Sequence, residues 1–313
     1  MRIEKRKEMA VPDAYSPAKV TVMGNVTEVV TMAKNTHGSP CRKINKDLYF
    51  DIRTGDVFEY QHIENRAGSL DSIRRTLANI RAMINSNVTV PENCRWVTLT
   101  YAENMTDTKQ LYRDTQNFWD RLCRWCKQDG HDKPEYINVI EPQGRGAWHA
   151  HLFIIWQSKA PFIPNDTMAE LWGHGFTKTK AVTDCDNVGA YFSAYLADIP
   201  LEELANLPIS DQMAARSATG KIETKEFEDD DGTIKSKKFV KGGRLFMYPV
   251  GMNILRYSRG LSKPLVEAMT YEQAQKKVSA ATETFSCTYD VVGEDGEPLN
   301  SICKQYYNSK RKR

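Results

Sequence analysis

Two short apolar segments that follow each other closely, residues 136–141 (YINVIE) and 148–156 (WHAHLFIIW), constrain the fold of this chain most. Both are rich in β-branched and aromatic residues, which favour strands, and the PQGRG between them has the proline and glycines of a turn. Side chains alternate between the faces of a strand, so His149 and His151 share one face and Ala150 lies on the other. The pattern predicts an antiparallel hairpin that presents two imidazoles side by side.

The two histidines are candidate metal ligands. The 313 residues include only six histidines, and two of these stand at i and i+2 inside an apolar strand. Glu141 ends the preceding strand and faces the same turn, and a carboxylate with two imidazoles makes a metal site with open positions for substrate and water. The expected ion is Mg²⁺ or Mn²⁺. The alternative interpretation of His149 and His151 is a pair of partly exposed histidines on a solvated strand face. The alternative interpretation of Glu141 is a surface acid at the end of a strand.

Further strands and helices surround the hairpin. Residues 96–101 (WVTLTY) and 175–182 (GFTKTKAV) have the composition and alternation of strands. Residues 70–84 and 108–127 carry apolar side chains at helical spacing, which predicts two amphipathic helices. The sequence therefore predicts a sheet of at least four strands with helices beside it.

A third helix is predicted at 187–198, and it carries two tyrosines. Tyr191 and Tyr195 are four residues apart, so both rings lie on one face of the helix, one turn apart, within reach of one metal-bound phosphate. Val188 and Leu196 extend the same apolar stripe, which makes ordinary core packing the alternative interpretation of this pair.

The chain divides by composition into a core with appendages. Residues 1–90 are expected to form an N-terminal appendage with a hairpin around Thr54-Gly55-Asp56 and a helix, and 91–265 the core domain. Residues 217–243 are charged and punctuated by glycine, which predicts an exposed insertion or hairpin flap before a strand at 244–250 (RLFMYPV). A C-terminal helix and basic tail are expected at 266–313.

Charge and cysteine content add little about function. The formal net charge of +3 is too small to indicate a nucleic-acid partner by itself. The seven cysteines are odd in number and scattered, and the N-terminus lacks the apolar stretch of a signal peptide, so a cytoplasmic protein with reduced thiols is expected. Cys123 and Cys126 are spaced as a metal or redox pair, but they lie in the middle of a predicted helix with no second pair and are expected to pack in the protein core. No apolar run reaches the roughly 18 residues of a membrane-spanning helix, so no membrane partner is expected.

The ordered motifs resemble a known superfamily of enzymes, the HUH endonucleases, which are named for two histidines about a hydrophobic residue. The residues that carry this resemblance are Thr98-Leu99-Thr100-Tyr101, then Glu141 with His149-Ala150-His151, then Tyr191 and Tyr195. Within that superfamily, RGAWHAHLFIIW (145–156), LWGHGFTKTK (171–180) and RLFMYPVGMNILRYSRGLSKP (244–264) are similar to plasmid and phage replication initiators of the gene II type. The resemblance covers about residues 94–265.

The resemblance implies an α+β fold in which a four- or five-stranded antiparallel sheet carries the metal histidines on a central strand. It implies a metal-dependent endonuclease and strand transferase of a bacterial host's cytoplasm that nicks single-stranded DNA at a replication origin. Tyr191 or Tyr195 would form a 5′-phosphotyrosine and free a 3′-OH, from which the host's polymerase, with a host helicase, starts rolling-circle replication. The alternatives are a relaxase or transposase of the same superfamily and a catalytically degenerate protein that only binds an origin.

One position departs from the pattern of these relatives. A lysine commonly stands three residues after a tyrosine of the third motif, but here those places hold Ala194 and Asp198. Lys178 and Lys180 alternate along the preceding strand and are candidates to replace that cation at DNA, although a solvated strand face is the other interpretation.

Six further residues are candidates for DNA contact, three cations and three aromatic residues: Arg145, Arg256 and Arg259 for phosphates, and Trp148, Tyr248 and Tyr257 for base stacking. Arg145, beside the histidine strand, is the expected phosphate contact.

Overall fold

A computed structural model describes residues 2–34, 40–60, 70–144, 146–182, 187–189, 196–217, 221–228, 234–293 and 295–311. The chain divides into two compact units, residues 1–63 with 264–313, and residues 64–263. Both units are built from antiparallel sheets and helices, which confirms the predicted α+β class. Within the described ranges no helix is both long and apolar enough to cross a membrane.

The first unit combines the two ends of the chain in one six-stranded sheet with the order β1-β16-β17-β3-β2-β15. Its strands are β1 (Arg2–Lys5), β2 (Pro17–Met23), β3 (Val26–Met32), β15 (Leu265–Thr270), β16 (Thr282–Val292) and β17 (Pro298–Asn308). Helix α6 (Tyr271–Lys277) begins with a capping box between Thr270 and Gln273. Its Ala274, with Val278 just beyond the helix, packs against Val20 of the sheet. The region from 266 onward therefore holds one short helix and three strands.

A small three-stranded sheet completes this unit. Its strands are β4 (Cys41–Lys43), β5 (Leu48–Asp51) and β6 (Val57–Glu59). Strands β5 and β6 form the hairpin predicted around Thr54-Gly55-Asp56, and Gly55 takes the left-handed backbone conformation that this turn requires, with φ of 78°.

The second unit is organised around a five-stranded sheet with the order β10-β7-β9-β8-β14, in which all neighbours are antiparallel. Its strands are β7 (Cys94–Thr100), β8 (Glu135–Pro142), β9 (Trp148–Ile155), β10 (Thr177–Ala181) and β14 (Leu255–Tyr257). Its first helices are α1 (Leu70–Asn87), α2 (Thr108–Gln128) and α3 (Asn165–Trp172). The predicted strands and the first two predicted helices are confirmed, with ends that shift by a few residues.

The histidine strand β9 lies in the centre of this sheet, as the resemblance implies. One face carries Ala150 and Leu152, which belong to a core that also contains Phe118 and Leu122 of α2. Leu152 on this face stabilises the unit, because a fully buried leucine side chain contributes about 1.5–3 kcal/mol. The opposite face carries the two histidines and can hold a polar site.

The charged insertion forms a hairpin, as predicted. Strands β12 (Ile222–Glu228) and β13 (Ile234–Val240) pair with each other, and β13 also pairs with β11 (Ile199–Pro200). Two short helices, α4 (Leu201–Ala205) and α5 (Ile209–Ser217), stand between β11 and β12 along the chain.

The prediction of a strand at 244–250 is wrong. Residues 245–247 form a single 3₁₀ turn, in which the amides of Leu245, Met247 and Tyr248 donate to carbonyls three residues earlier. The backbone hydrogen bonds here are local, because the turn at Gly242-Gly243 leads directly into the 3₁₀ turn. The apolar composition of RLFMYPV therefore reflects burial and not membership of a sheet.

Candidate metal centre

Strand register brings Glu141, His149 and His151 together at the end of the β8–β9 hairpin. Glu141 pairs directly with His149 across the two strands, and His151 is two residues further along the same face. One potential ligand atom from each side chain lies within 4.8 Å of the others. Glu141 and His151 are buried, with 4% and 5% of their surface exposed, and His149 is half-buried. The three residues proposed from sequence therefore meet at one point.

Hydrogen bonds fix the orientation of His151 from both sides of its ring. Nε2 of His151 lies 2.7 Å from Oε2 of Glu141. Nδ1 lies 3.2 Å from Oγ1 of Thr98, which stands directly opposite His151 on β7. Partners of this kind on ligating histidines hold the ring and tune its basicity. Thr98 belongs to the first of the three ordered motifs, and it is connected to the site through its contact with His151.

Glu141 is held in its charged form. Burial by itself raises the pKa of this carboxyl group, but the hydrogen bond with His151 and the positive charge of Arg244 outweigh burial and keep the pKa below its ordinary value. Nε of Arg244 lies 3.3 Å from Oε1 of Glu141. The site thus offers a buried carboxylate to a cation at neutral pH.

This donor set fits a divalent metal ion. An ionised carboxylate and two imidazoles on one strand face leave coordination positions for water or substrate, which catalytic sites require. The carboxylate suits both expected ions, Mg²⁺ and Mn²⁺, and the imidazoles are ligands that transition metals accept.

A cleft of about 640 Å³ opens over the three side chains. Lys178 and Lys180 of β10 line it, and they stand opposite Thr98 and Trp96 of β7, on the same sheet face as the histidines. Both lysines are exposed. The other lining residues are Trp96, Thr98, Gln143, Gly144, Glu203, Asn206, Leu207 and Arg244. The cleft thus joins a candidate cation site to two ammonium groups, a combination suited to an anionic ligand.

Sequence reasoning missed Arg244 and Glu203. Both NH groups of Arg244 contact the carboxylate of Glu203, Nη1 to Oε1 at 3.0 Å and Nη2 to Oε2 at 2.6 Å. Their ion pair depends on a contact between residues 41 positions apart, which no local pattern reveals. The one available signal was an arginine at the head of the apolar run RLFMYPV, where burial of the guanidinium requires a carboxylate partner.

Tyr191, Tyr195 and Arg145 lie outside the described residues, so their predicted roles stay predictions. The structure does describe Gly189, just before the stretch 190–195 that contains both tyrosines, which we call the tyrosine segment. Oδ1 of Asn85, on α1, accepts from the amide of Gly189 at 2.9 Å, and its Nδ2 donates to Oδ1 of Asn187 at 2.9 Å. The chain that leads into the tyrosine segment is therefore tied to α1.

Several other candidates do not form part of the cleft. Trp148 and Tyr248 are 4% and 2% exposed, so neither can stack on a base, and that prediction is wrong. Cys123 and Cys126 are free thiols on α2, and burial raises the pKa of Cys123 to about 11, which makes it a poor nucleophile. Asp198, one of the two positions at which the resemblance leads us to expect a lysine, is buried and accepts from the amide of Gly242 at 2.8 Å. Its role here is structural.

Comparison with known proteins gives one match. A family model that describes replication-associated proteins of the ORF2 and gene II protein type matches residues 94–199, about a third of the chain, from the start of β7 to β11. This range contains the three candidate ligands, both lysines and both tyrosines. No curated protein and no solved structure matched. Similarity to this family over the candidate site indicates a role in replication.

Proposed function

We propose that the chain is a replication initiator that nicks single-stranded DNA at an origin, with a divalent metal ion as cofactor and a tyrosine as nucleophile. The observation that carries this proposal is the cluster of Glu141, His149 and His151 at the base of a cleft that Lys178 and Lys180 also line. The similarity of residues 94–199 to replication-associated proteins supports the same assignment.

The residues divide the chemistry between them. Glu141, His149 and His151 would hold a divalent cation, which supplies positive charge to the phosphate oxygens as negative charge builds up in the transition state. The oxygen of Tyr191 or Tyr195 attacks the scissile phosphorus and loses its proton. The 3′ oxygen leaves and takes up a proton, so the products are a 5′-phosphotyrosine and a free 3′-OH. The covalent bond conserves the energy of the phosphodiester, and a second tyrosine permits a second transfer.

Lys178 and Lys180 are proposed to contact DNA phosphates. They are exposed at the rim of the cleft, two residues apart on one face of β10. The part of the sheet that presents the metal ligands also presents these charges, so a strand that crosses the cleft meets both. Single-stranded substrate fits this arrangement because its backbone can bend into the cleft while two cations neutralise neighbouring phosphates.

The test is formation of a covalent protein–DNA adduct. The full chain is incubated with Mn²⁺ and labelled single-stranded oligonucleotides tiled across the replicon that encodes it, and adducts are resolved on denaturing gels and located by mass spectrometry. We expect an adduct on Tyr191 or Tyr195 that the corresponding phenylalanine variant loses. Tyr15→Phe is the matched control, because Tyr15 is 80% exposed in the other unit. Cleavage that survives both Tyr191→Phe and Tyr195→Phe contradicts the assignment.

The role of the metal is tested separately from DNA binding. We expect EDTA, or His149→Ala with His151→Ala, to abolish nicking while most of the binding to single-stranded DNA remains, because binding depends on phosphate contacts beyond the ion. Equal loss of both activities contradicts this division. An adduct-free protein that still binds one origin sequence indicates a degenerate origin-binding protein, and a nick that maps to a transfer origin or transposon end indicates a relaxase or transposase.

A further inference from the structure

Arg244 is a buried arginine that reaches the metal site from outside the hairpin. It is 6% exposed, and its Nε lies 3.3 Å from Oε1 of Glu141. Nη1 also donates to the carbonyl oxygen of Pro142 at 2.6 Å. One side chain thus contacts both the carboxylate of a metal-ligand candidate and the backbone of the next residue.

The same residue is bonded to the chain just after the tyrosine segment. Nε of Arg244 donates to the carbonyl oxygen of Asp198 at 3.0 Å, and the amide of Arg244 donates to the carbonyl oxygen of Ala197 at 2.9 Å. Asp198 stands only three residues after Tyr195. Arg244 therefore connects the chain just after the tyrosine segment to Glu141.

Glu203 holds the guanidinium in this position. Its carboxylate contacts Nη1 and Nη2 together, and Oε1 also accepts from the amide of Gly144 at 2.7 Å, in the turn between β8 and β9. Because most N–H groups of Arg244 are occupied by protein acceptors, the guanidinium is not available to a DNA phosphate. Its role is to position other groups.

Tyr248 makes a second connection of the same kind. Its hydroxyl lies 3.2 Å from the carbonyl oxygen of Ile140 and 3.2 Å from that of Leu196. Ile140 directly precedes Glu141, and Leu196 directly follows Tyr195. Arg244 and Tyr248, four residues apart, therefore each join the strand of the metal-ligand candidate Glu141 to the chain just after the tyrosine segment.

On the premise of the nicking activity proposed above, we propose that Arg244, clamped by Glu203, and Tyr248 are positioning residues that set the distance between the metal ion and the attacking tyrosine. A bidentate arginine–carboxylate pair has a fixed geometry, which a flexible lysine cannot reproduce. Both residues act through the groups they hold and touch neither the DNA nor the ion.

The test uses full-length Tyr248→Phe and Arg244→Lys. For each variant we measure the dissociation constant for Mn²⁺ by calorimetry without DNA, the dissociation constant for the oligonucleotide, the melting temperature, and the single-turnover rate of adduct formation at saturating DNA. Tyr307→Phe and Glu223→Gln are the matched controls. Tyr307 is a buried tyrosine whose hydroxyl is bonded in the other unit, and Glu223 belongs to an exposed ion pair with Lys241 on the hairpin flap.

We expect Tyr248→Phe to lower the single-turnover rate at least tenfold while both dissociation constants stay within twofold of the wild type. Arg244→Lys is expected to weaken Mn²⁺ binding about tenfold as well, because outer contacts of metal ligands have effects of about 10–100-fold. The controls are expected to keep the wild-type rate. Normal rates in both variants overturn the positioning role even if the wild type nicks DNA, as does a rate loss that Tyr307→Phe shares. Absence of an adduct in the wild type refutes the proposed function itself.

Discussion

Gly189→Ala is a sharp test of how the tyrosine segment is positioned, because Gly189 directly precedes that segment and lies against α1. A methyl group at this position would stand 2.6 Å from the carbonyl oxygen of Arg81, 2.8 Å from Oδ1 of Asn85 and 3.0 Å from Cα of Arg81. Two of these three atoms belong to the backbone, so no rotation of a side chain relieves the overlap. The backbone of Gly189 and that of α1 have to move apart.

The size of the effect follows from two opposing terms. Ordinary contact begins at 3.4 Å, so the methyl group is about 0.8 Å too close to Arg81. Overpacking of this kind costs about 1–3 kcal/mol, whereas alanine in place of glycine in a helical conformation gains about 1 kcal/mol. The net loss in the free energy of unfolding is therefore about 0–2 kcal/mol. Reaction rate is more sensitive, because a misplacement of about 1 Å lowers it by as much as about 100-fold.

The assay compares the single-turnover rate of adduct formation with the free energy of unfolding in urea. We expect Gly189→Ala to lower the rate between tenfold and 100-fold with unchanged Mn²⁺ affinity, because the hairpin that holds the ligands is untouched. Gly251→Ala is the control: its methyl group meets nothing within 4 Å, although its φ of 77° strains the backbone, so it lowers stability and leaves the rate unchanged. A wild-type rate in Gly189→Ala refutes the idea that close packing on α1 positions the nucleophile.

Three further changes test other parts of the molecule. The double variant Lys178→Gln, Lys180→Gln is expected to bind single-stranded DNA with a weaker dependence on salt. The slope of log affinity against log salt concentration should become about 1.4 smaller in magnitude, because each phosphate that is no longer neutralised accounts for about 0.7. An unchanged slope means that the DNA binds elsewhere. Thr98→Val removes the hydroxyl beside Nδ1 of His151 and is expected to weaken Mn²⁺ binding about tenfold in calorimetry, and equal binding rules out the orienting role. Burial raises the pKa of Tyr307 to about 12, so from pH 10 to 12 the unfolded chain loses a proton that the folded chain keeps. The free energy of unfolding then falls as the pH rises, and Tyr307→Phe removes that part of the dependence; a profile that this variant does not change refutes the assignment to Tyr307.

The hairpin with the metal-ligand candidates was predictable because its signals are local. Alternation placed His149 and His151 on one face, and the turn between the strands brought Glu141 back to them. A shift of one residue in the register would have sent the histidines into the aliphatic core, so the pattern of apolar residues also fixes the pairing. Lys178 and Lys180 followed from the same rule on the neighbouring strand β10.

The parts that sequence reasoning missed depend on contacts between distant residues. In the six-stranded sheet the strand Val26–Met32 pairs with the strand Pro298–Asn308. Nothing in the sequence of either segment indicates which strand it pairs with. The apolar run at 244–250 predicts a strand because buried segments and strands share the same apolar composition. Only the structure shows that the hydroxyl of Tyr248 lies 3.2 Å from the carbonyl oxygens of both Ile140 and Leu196.

The two halves of the proposed site have different sources of rigidity. The metal ligands come from paired strands at the centre of a sheet, where backbone hydrogen bonds and a buried core fix every side chain. The chain on either side of the tyrosine segment is held by a few side chains, Asn85 before it and Arg244 with Tyr248 after it. Substitutions at Asn85, Tyr248 or Gly189 therefore change the rate of attack while the hairpin still binds its ion. Arg244→Lys changes both the rate and Mn²⁺ binding, because Arg244 also contacts Glu141. Substitutions in the hairpin change both, since attack depends on the charge that the ion supplies.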